Sequence, residues 1–188
     1  MEILEQKGTK IAYKLSGNEQ GPKMVLIHGL YVNSDCWREQ LAYFKNDYHI
    51  LRFDLHGHGR SMKSDRRFTI RNFVDDMEIL LQNLGWNQDL HLVSHSLGGM
   101  VALVYALEHP QTVNKMVIGS SYCFVSNEAM TDVLGRVKSN SIDKMALGIS
   151  KRGMHPYDQE TAEWLAKQIT DHMTQKDALL ATAASAGF

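Results

Sequence analysis

The stretch His91-Leu92-Val93-Ser94-His95-Ser96-Leu97-Gly98-Gly99 joins an apolar segment to a glycine-rich one. The apolar residues predict a buried strand and the glycines predict the opening of a helix, so Ser96 is expected on the sharp turn between them. A serine there projects its hydroxyl from the sheet, beside a helix N-terminus that favours developing negative charge. Ser94 stands where such turns usually carry a glycine. The stretch predicts a nucleophile elbow, and the alternative is a Ser/Gly turn without chemistry.

Two further apolar segments end in histidine and glycine. They are Met24-Val25-Leu26-Ile27-His28-Gly29-Leu30 and the run that leads into Asp54-Leu55-His56-Gly57-His58-Gly59-Arg60-Ser61, and Trp37 opens a helix between them. With the elbow, they resemble the α/β-hydrolase superfamily in order and spacing from about residue 8 to residue 121. The resemblance implies an α/β fold, with a mostly parallel sheet flanked by helices and a helical cap. It also implies that the family's C-terminal strands and helices are missing here.

Short apolar runs alternate with segments of helical periodicity, which is typical of βαβ units. An opening hairpin is expected from strands at residues 2–6 and 10–16, followed by parallel strands at residues 24–28, 48–53, 90–94 and 115–120. The clearest helix is predicted over residues 70–84, where Thr69 caps the start and Gly85 the end. A second buried helix should continue over residues 100–107.

Composition limits the class of protein. The 188 residues are 44% hydrophobic and carry a formal net charge of −1, so one sizeable core is expected, with no global attraction to nucleic acid or an anionic membrane. No apolar run approaches the length of a membrane span, and Met1-Glu2-Ile3-Leu4-Glu5 lacks the basic start of a signal peptide. A cytoplasmic location is therefore expected. Cys36 and Cys123 lie in no metal-ligand spacing and receive no role.

From Tyr122 onward, apolar residues recur in helical patches broken by glycine and proline. The resemblance implies a helical cap over residues 122–188, which follows a core over residues 1–121 and roofs the catalytic pocket. Its aromatic and methionine side chains are candidate substrate-binding residues: Tyr122, Phe124, Met130, Met145, Met154 and Trp164. The alternative is that each of them packs cap against core, since flexible methionines fill irregular gaps as readily as they line pockets.

Catalytic roles follow from the elbow and the resemblance together. Ser96 would attack an acyl carbonyl, and the resulting oxyanion needs hydrogen-bond donors about 3 Å from the developing charge. The resemblance assigns these donors to the backbone N–H groups of Leu97, which follows the serine, and Leu30, which follows His28-Gly29.

The nine histidines do not predict a metal site. Zinc needs three or four convergent ligands, and no carboxylate or cysteine lies at a supporting distance from His56 and His58. His28 and His58 are expected to be structural, and Asp54 to hold its loop by accepting backbone hydrogen bonds. His95 is a weak candidate base because neighbouring residues of an elbow point apart. No organic cofactor or metal is implied.

The family's chain order is serine, then acid, then histidine. Only His109, His155 and His172 follow Ser96, and none matches the family's catalytic histidine position. The chain ends at Phe188 where the family's sheet would resume, so the triad acid and histidine positions are expected to be absent and the chain catalytically incomplete as given. It is then either a fragment of a serine hydrolase or a natural short form. An unpaired sheet edge would favour self-association.

The choice of reaction stays open within these limits. Ester, lactone or thioester hydrolysis of a small acyl substrate is the default, and serine at position 96 excludes an aspartate nucleophile. A binding module that retains the pocket and the elbow without hydrolysis is one alternative. The segment Val93-Ser94-His95-Ser96 also resembles the elbow of cofactor-free dioxygenases on this fold, and oxygen uptake would distinguish that chemistry from acyl release.

Overall fold

The computed structural model of the protein describes residues 1–63, 68–123, 126–152 and 158–185. Within these ranges, six strands form one sheet in the spatial order β1-β2-β4-β3-β5-β6. Strands β1 and β2 form an antiparallel hairpin, β2 runs antiparallel to β4, and β4, β3, β5 and β6 are parallel. The bounds are Glu2–Gln6 for β1, Thr9–Gly17 for β2, Lys23–Ile27 for β3, His49–Phe53 for β4, Leu90–His95 for β5 and Val113–Gly119 for β6. The predicted strands are confirmed to within two residues.

Helices cover both faces of the sheet. A 3-10 turn over Ser34–Trp37 leads into α1, and α2 and α3 pack together on the opposite face. As predicted, Thr69 caps the start of α2, where it forms a capping box with Asn72, and Gly85 has a positive φ of 67° just beyond its end. The bounds are Arg38–Phe44 for α1, Ile70–Asn83 for α2, Leu97–Glu108 for α3, Asn127–Ser139 for α4, Ile142–Arg152 for α5, Gln159–His172 for α6 and Gln175–Ser185 for α7.

Strand β3 lies at the centre of the sheet and divides the core. Val25 and Ile27 face a large cluster formed with α2 and α3, whereas Met24 and Leu26 face a smaller one around Trp37. Alternate residues of a strand point to opposite faces, so this division follows directly from the apolar run. Because β3 is buried on both faces, its C-terminal end lies in the middle of the molecule. The candidate site is at this end.

Strand β6 forms one edge of the sheet and, among the described residues, pairs with β5 alone. Its side chains Met116, Val117 and Ile118 are 36%, 60% and 37% exposed, so apolar surface accompanies the unpaired backbone. Self-association through this edge stays a prediction. In the described ranges, none of the helices combines the length and apolarity that crossing a bilayer requires.

Helices α4 to α7 follow β6 and pair as α4 with α7 and α5 with α6. They contact the preceding part of the chain through polar and apolar groups. Tyr31 OH lies 2.7 Å from Thr182 Oγ1, and Arg38 donates to Thr161 Oγ1 at 3.2 Å. Ala181 and Ala184 of α7 belong to the large core cluster. The division into a core over residues 1–121 and a cap over residues 122–188 stays a prediction.

Candidate active site

The predicted strand–turn–helix is present at Ser96. Strand β5 ends at His95, α3 begins at Leu97, and Ser96 has φ 52° and ψ −118° between them. A non-glycine residue in this part of conformational space is strained, and such strain is characteristic of functional turns. Gly98 makes the turn possible because a Cβ at that position would overlap the Ile27 carbonyl at the end of β3.

The end of β6 holds the backbone of this turn. The Ser96 N–H donates to the Gly119 carbonyl at 2.9 Å, and Ser121 Oγ donates to the Ser96 carbonyl at 2.7 Å. A side chain at Gly99 would collide with Ser121, so the glycine permits this contact. The contribution of Gly119 and Ser121 was not predicted from the sequence; the available signal was a Gly-Ser-Ser sequence directly after the last apolar run.

The predicted oxyanion donors are the backbone N–H groups of Leu97 and Leu30. No acceptor among the described residues receives a hydrogen bond from the N–H of Leu97 or of Leu30. Leu97 is the first residue of α3, where the helix itself offers no partner. Gly29 precedes Leu30 and packs against the serine, because a Cβ on Gly29 would lie 3.2 Å from Ser96 Cβ. The oxyanion role of these groups stays a prediction.

His28 fixes the loop that carries Leu30. Its Nδ1–H donates to the Gly29 carbonyl at 2.8 Å, and its Nε2 accepts from the Leu55 N–H at 2.9 Å. With both ring nitrogens engaged in this way, the imidazole is neutral. Burial lowers the pKa of His28, and this effect outweighs the nearby Asp54 carboxylate, which acts to raise it. His28 is therefore a structural link between the ends of β3 and β4.

Asp54 organises the same end of the sheet. Its carboxylate accepts from the Ser34 N–H at 2.9 Å, the Ser34 hydroxyl at 2.5 Å and the Arg60 N–H at 2.8 Å, and its side chain is fully buried. The predicted function of Asp54 in accepting backbone hydrogen bonds is confirmed. Gly59 has a positive φ of 49°, and a Cβ there would overlap the Asp54 carboxylate. The glycine is thus required for this close approach.

Among the described residues, no histidine is hydrogen-bonded to the Ser96 hydroxyl. His56 contacts Asp76 at 3.2 Å, and the His58 Nδ1–H donates to the His56 carbonyl at 2.8 Å. The His95 Nδ1 lies near Gly29, and desolvation lowers the pKa of His95. His155 lies outside the described residues.

One group of side chains has the spacing of a metal site. Glu78, Glu108 and His109 bring their ligand atoms within 4.8 Å of one another. Arg71 donates to both carboxylates, and His109 bonds Glu78 at 2.9 Å. Glu78 Oε1 accepts from both Arg71 and His109, and Glu108 Oε2 accepts from Arg71, so the described contacts of this group are those of a partly exposed ion-pair network.

The candidate substrate-binding residues lie in different surroundings. Tyr122 is 63% exposed, whereas Met130 is buried with 7% exposure. Met145 lines a cavity with Tyr31, and Trp164 stacks beneath the Arg38 guanidinium at 4.2 Å from its ring centre. Phe124 and Met154 lie outside the described residues. A substrate-binding role for these six residues stays a prediction.

Known proteins resemble this chain in sequence and in fold. A family model described as alpha/beta hydrolase fold matches residues 22–139. Epoxide hydrolase 3 of Xenopus tropicalis is 31% identical over 117 residues, which make up 61% of this chain and 32% of that protein. A cis-3-alkyl-4-alkyloxetan-2-one decarboxylase of Shewanella oneidensis is 32% identical over 125 residues, or 65% of this chain and 39% of that protein. The chain thus matches less than two fifths of the length of these curated relatives.

Among solved structures, a hydrolase from Pseudomonas aeruginosa aligns with a TM-score of 0.86 at 21% identity. The alignment covers 98% of this chain and 72% of that one. At this identity the likeness concerns the fold, and it includes the helices after β6 as well as the sheet.

Proposed function

Because the chain belongs to the α/β-hydrolase fold family, we propose that it is a serine hydrolase that cleaves carboxylic ester, lactone or thioester bonds through a Ser96 acyl-enzyme. The observation that carries the proposal is the position of Ser96, in a strained turn next to the N–H groups of Leu30 and Leu97, for which the described part of the chain offers no acceptor. Backbone strain at a serine is the expected cost of presenting its hydroxyl as a nucleophile.

In this mechanism the Ser96 hydroxyl oxygen attacks the substrate carbonyl carbon while its proton passes to a base. The carbonyl oxygen becomes an oxyanion, and the N–H groups of Leu30 and Leu97 stabilise its charge. Collapse of this intermediate expels the alcohol or thiol, which takes up the proton, and leaves an ester on Ser96. Water then attacks that ester, which releases the acid and restores the hydroxyl.

Serine chemistry favours acyl transfer over epoxide opening, although one relative is named as an epoxide hydrolase. If the Ser96 oxygen attacked an epoxide carbon, the product would be an ether on the enzyme, which water does not cleave readily. Attack on a carbonyl carbon produces an ester, which water can cleave with the same oxyanion donors. The second relative is named for an oxetan-2-one, a lactone, which is compatible with a carbonyl target.

A non-catalytic binding module is the second candidate. The observation that favours it is that no histidine among the described residues contacts the Ser96 hydroxyl. A serine without a base is a weak nucleophile, so the Ser96 site would bind an acyl compound without turning it over.

Labelling with a fluorophosphonate separates these candidates. The probe should modify the chain covalently at Ser96, and Ser96→Ala should abolish the modification. Ser94→Ala is the matched control, because the Ser94 hydroxyl is buried and bonded to the Val117 carbonyl at 3.1 Å. Labelling that persists in Ser96→Ala would contradict the proposal, and absence of labelling in a folded chain would favour the binding module.

A further inference from the structure

A cavity of about 530 Å³ lies between α4 and α5 and extends to Tyr31 in the loop after β3. One part of its lining is apolar and belongs to a packed cluster around Val137, which is 2% exposed. We call this part the apolar wall; it consists of Tyr31, Val133, Val137 and Met145. The size lies in the range of small-molecule sites, and an apolar wall of this kind accommodates a hydrocarbon group.

The exposed side of the cavity is positively charged. Arg136, Lys144 and Lys151 are lining residues, and the described lining includes no carboxylate. We call these three residues the cationic rim. Arg136 has an exposed ion pair with Asp132 at 2.7 Å, whereas Lys144 and Lys151 have no ion-pair partner within the described ranges. Three cations beside one cavity are a local excess in a chain whose net charge is −1.

The charge of the rim reaches the apolar wall. Burial raises the pKa of the Tyr31 hydroxyl, and the field of Arg136 acts in the opposite direction. Arg136 lines the same cavity as Tyr31, Val133 and Val137, so one ligand can contact both an apolar and a cationic surface.

We propose that this cavity binds a single-chain amphiphile with an anionic head group, such as a fatty carboxylate. The alkyl chain packs on the apolar wall and the head group lies against the cationic rim. Electrostatic attraction selects the sign of the head group, and burial of the chain supplies affinity. Neither contribution depends on catalysis.

Tyr31 connects the cavity to the Ser96 site. It follows Leu30 directly, has a positive φ of 72°, and donates from its hydroxyl to Thr182 Oγ1, which itself donates to the Ala178 carbonyl. Its ring therefore has a fixed position between the cavity and the loop that carries Leu30.

Calorimetric titration with monomeric decanoate tests the binding site. Decanoate should bind at low salt, and its affinity should fall as salt screens the rim. Decanol should bind more weakly, and decyltrimethylammonium should show no detectable binding. Lys144→Glu combined with Lys151→Glu should weaken decanoate binding by tenfold or more. Lys14→Glu combined with Lys45→Glu, two exposed lysines outside the cavity lining, is the matched control and should leave the affinity unchanged.

Three outcomes would overturn the proposal. They are equal affinity for decanoate and decyltrimethylammonium, unchanged decanoate affinity in the Lys144/Lys151 double variant, and binding to phosphatidylglycerol vesicles without binding to monomeric decanoate. Circular dichroism of each variant shows whether it remains folded. Ser96→Ala should bind decanoate with the affinity of the parent chain, so that loss of serine labelling and loss of this site are separate results.

Discussion

Gly29 packs so closely against Ser96 that a Cβ on the glycine would lie 3.2 Å from the Ser96 Cβ. The same Cβ would lie 2.9 Å from His95 Nδ1 and 3.3 Å from the His95 carbonyl. The loop after β3 and the turn after β5 therefore share one small volume, and Leu30 is held near the serine hydroxyl by this contact.

Gly29→Ala should move the elbow away from the loop by a few tenths of an ångström. Because the donors act only at short range, fluorophosphonate labelling of Ser96 should slow by about tenfold or more. Gly135→Ala is the matched control, since a Cβ at Gly135 meets nothing within 4 Å, and it should leave the labelling rate unchanged. Equal labelling rates in the two variants would contradict the predicted donor function of the loop.

Ser96→Gly should be more stable than Ser96→Ala. At φ 52°, alanine retains the strain that glycine relieves, and this strain costs about 1–3 kcal/mol. After subtraction of the extra chain entropy of unfolded glycine, a net difference of about 1 kcal/mol remains, or a Tm difference of about 2–4 °C in a chain of this size. Differential scanning calorimetry measures it, and a higher Tm for Ser96→Ala would show that the turn is unstrained.

Asp54→Ala should destabilise the fold by about 3–5 kcal/mol, because it leaves the buried Ser34 N–H and its neighbours without their acceptor. The free energy of unfolding in urea measures the loss. Asp47→Asn, at an exposed position, is the control and should change the stability by less than about 0.5 kcal/mol. A small effect of Asp54→Ala would contradict its structural role.

Stability should fall as the pH decreases below about 6.5, the ordinary pKa of histidine. Burial lowers the pKa of His28 and of His58, so below that pH the unfolded chain binds protons that the folded chain does not. Each histidine then reduces the unfolding free energy by up to about 1.4 kcal/mol per pH unit. His58→Asn should make the decrease between pH 6.5 and 5.5 shallower, and identical slopes in urea unfolding would refute this assignment.

Simple esters should be hydrolysed slowly by this chain. Within the described residues no histidine contacts the Ser96 hydroxyl, so catalysis rests on the oxyanion donors and substrate binding. Loss of a triad in other serine hydrolases lowers rates by about 10⁴-fold or more. Turnover of a p-nitrophenyl ester, compared with Ser96→Ala, gives the measurement. A fast rate that depends on Ser96 would mean that a base is present, and His155→Ala would be the first variant to examine.

The strands and helices around the elbow could be predicted because local patterns determine them. Each of these patterns depends on neighbouring residues: the apolar run before Ser96, the glycines after it, and the helical spacing of apolar residues from Ile70 onward. The function of Asp54 was also predictable, since carboxylates next to tight glycine turns commonly accept backbone hydrogen bonds.

Contacts between distant segments could not be predicted in the same way. The hydrogen bond from Ser121 to Ser96 spans 25 positions, and the contact between Tyr31 and Thr182 spans 151. Nothing in the local sequence of either residue specifies its partner. Trp164 shows the same limit: its aromatic character made it a candidate for substrate binding or for packing, but its stacking on Arg38 depends on how α6 lies against the start of α1.

The hydrogen bonds from Gly119 and Ser121 join the turn at Ser96 to strand β6, which is paired along one side among the described residues. Edge strands open locally at a lower free-energy cost than strands paired on both sides. Each such opening releases the Ser96 N–H and carbonyl together and lets the strained backbone relax. Amide exchange at Ser96 should therefore follow the exchange of β6 rather than that of α3. The lifetime of the pairing between β5 and β6 then limits the time that Ser96 spends in its strained backbone conformation.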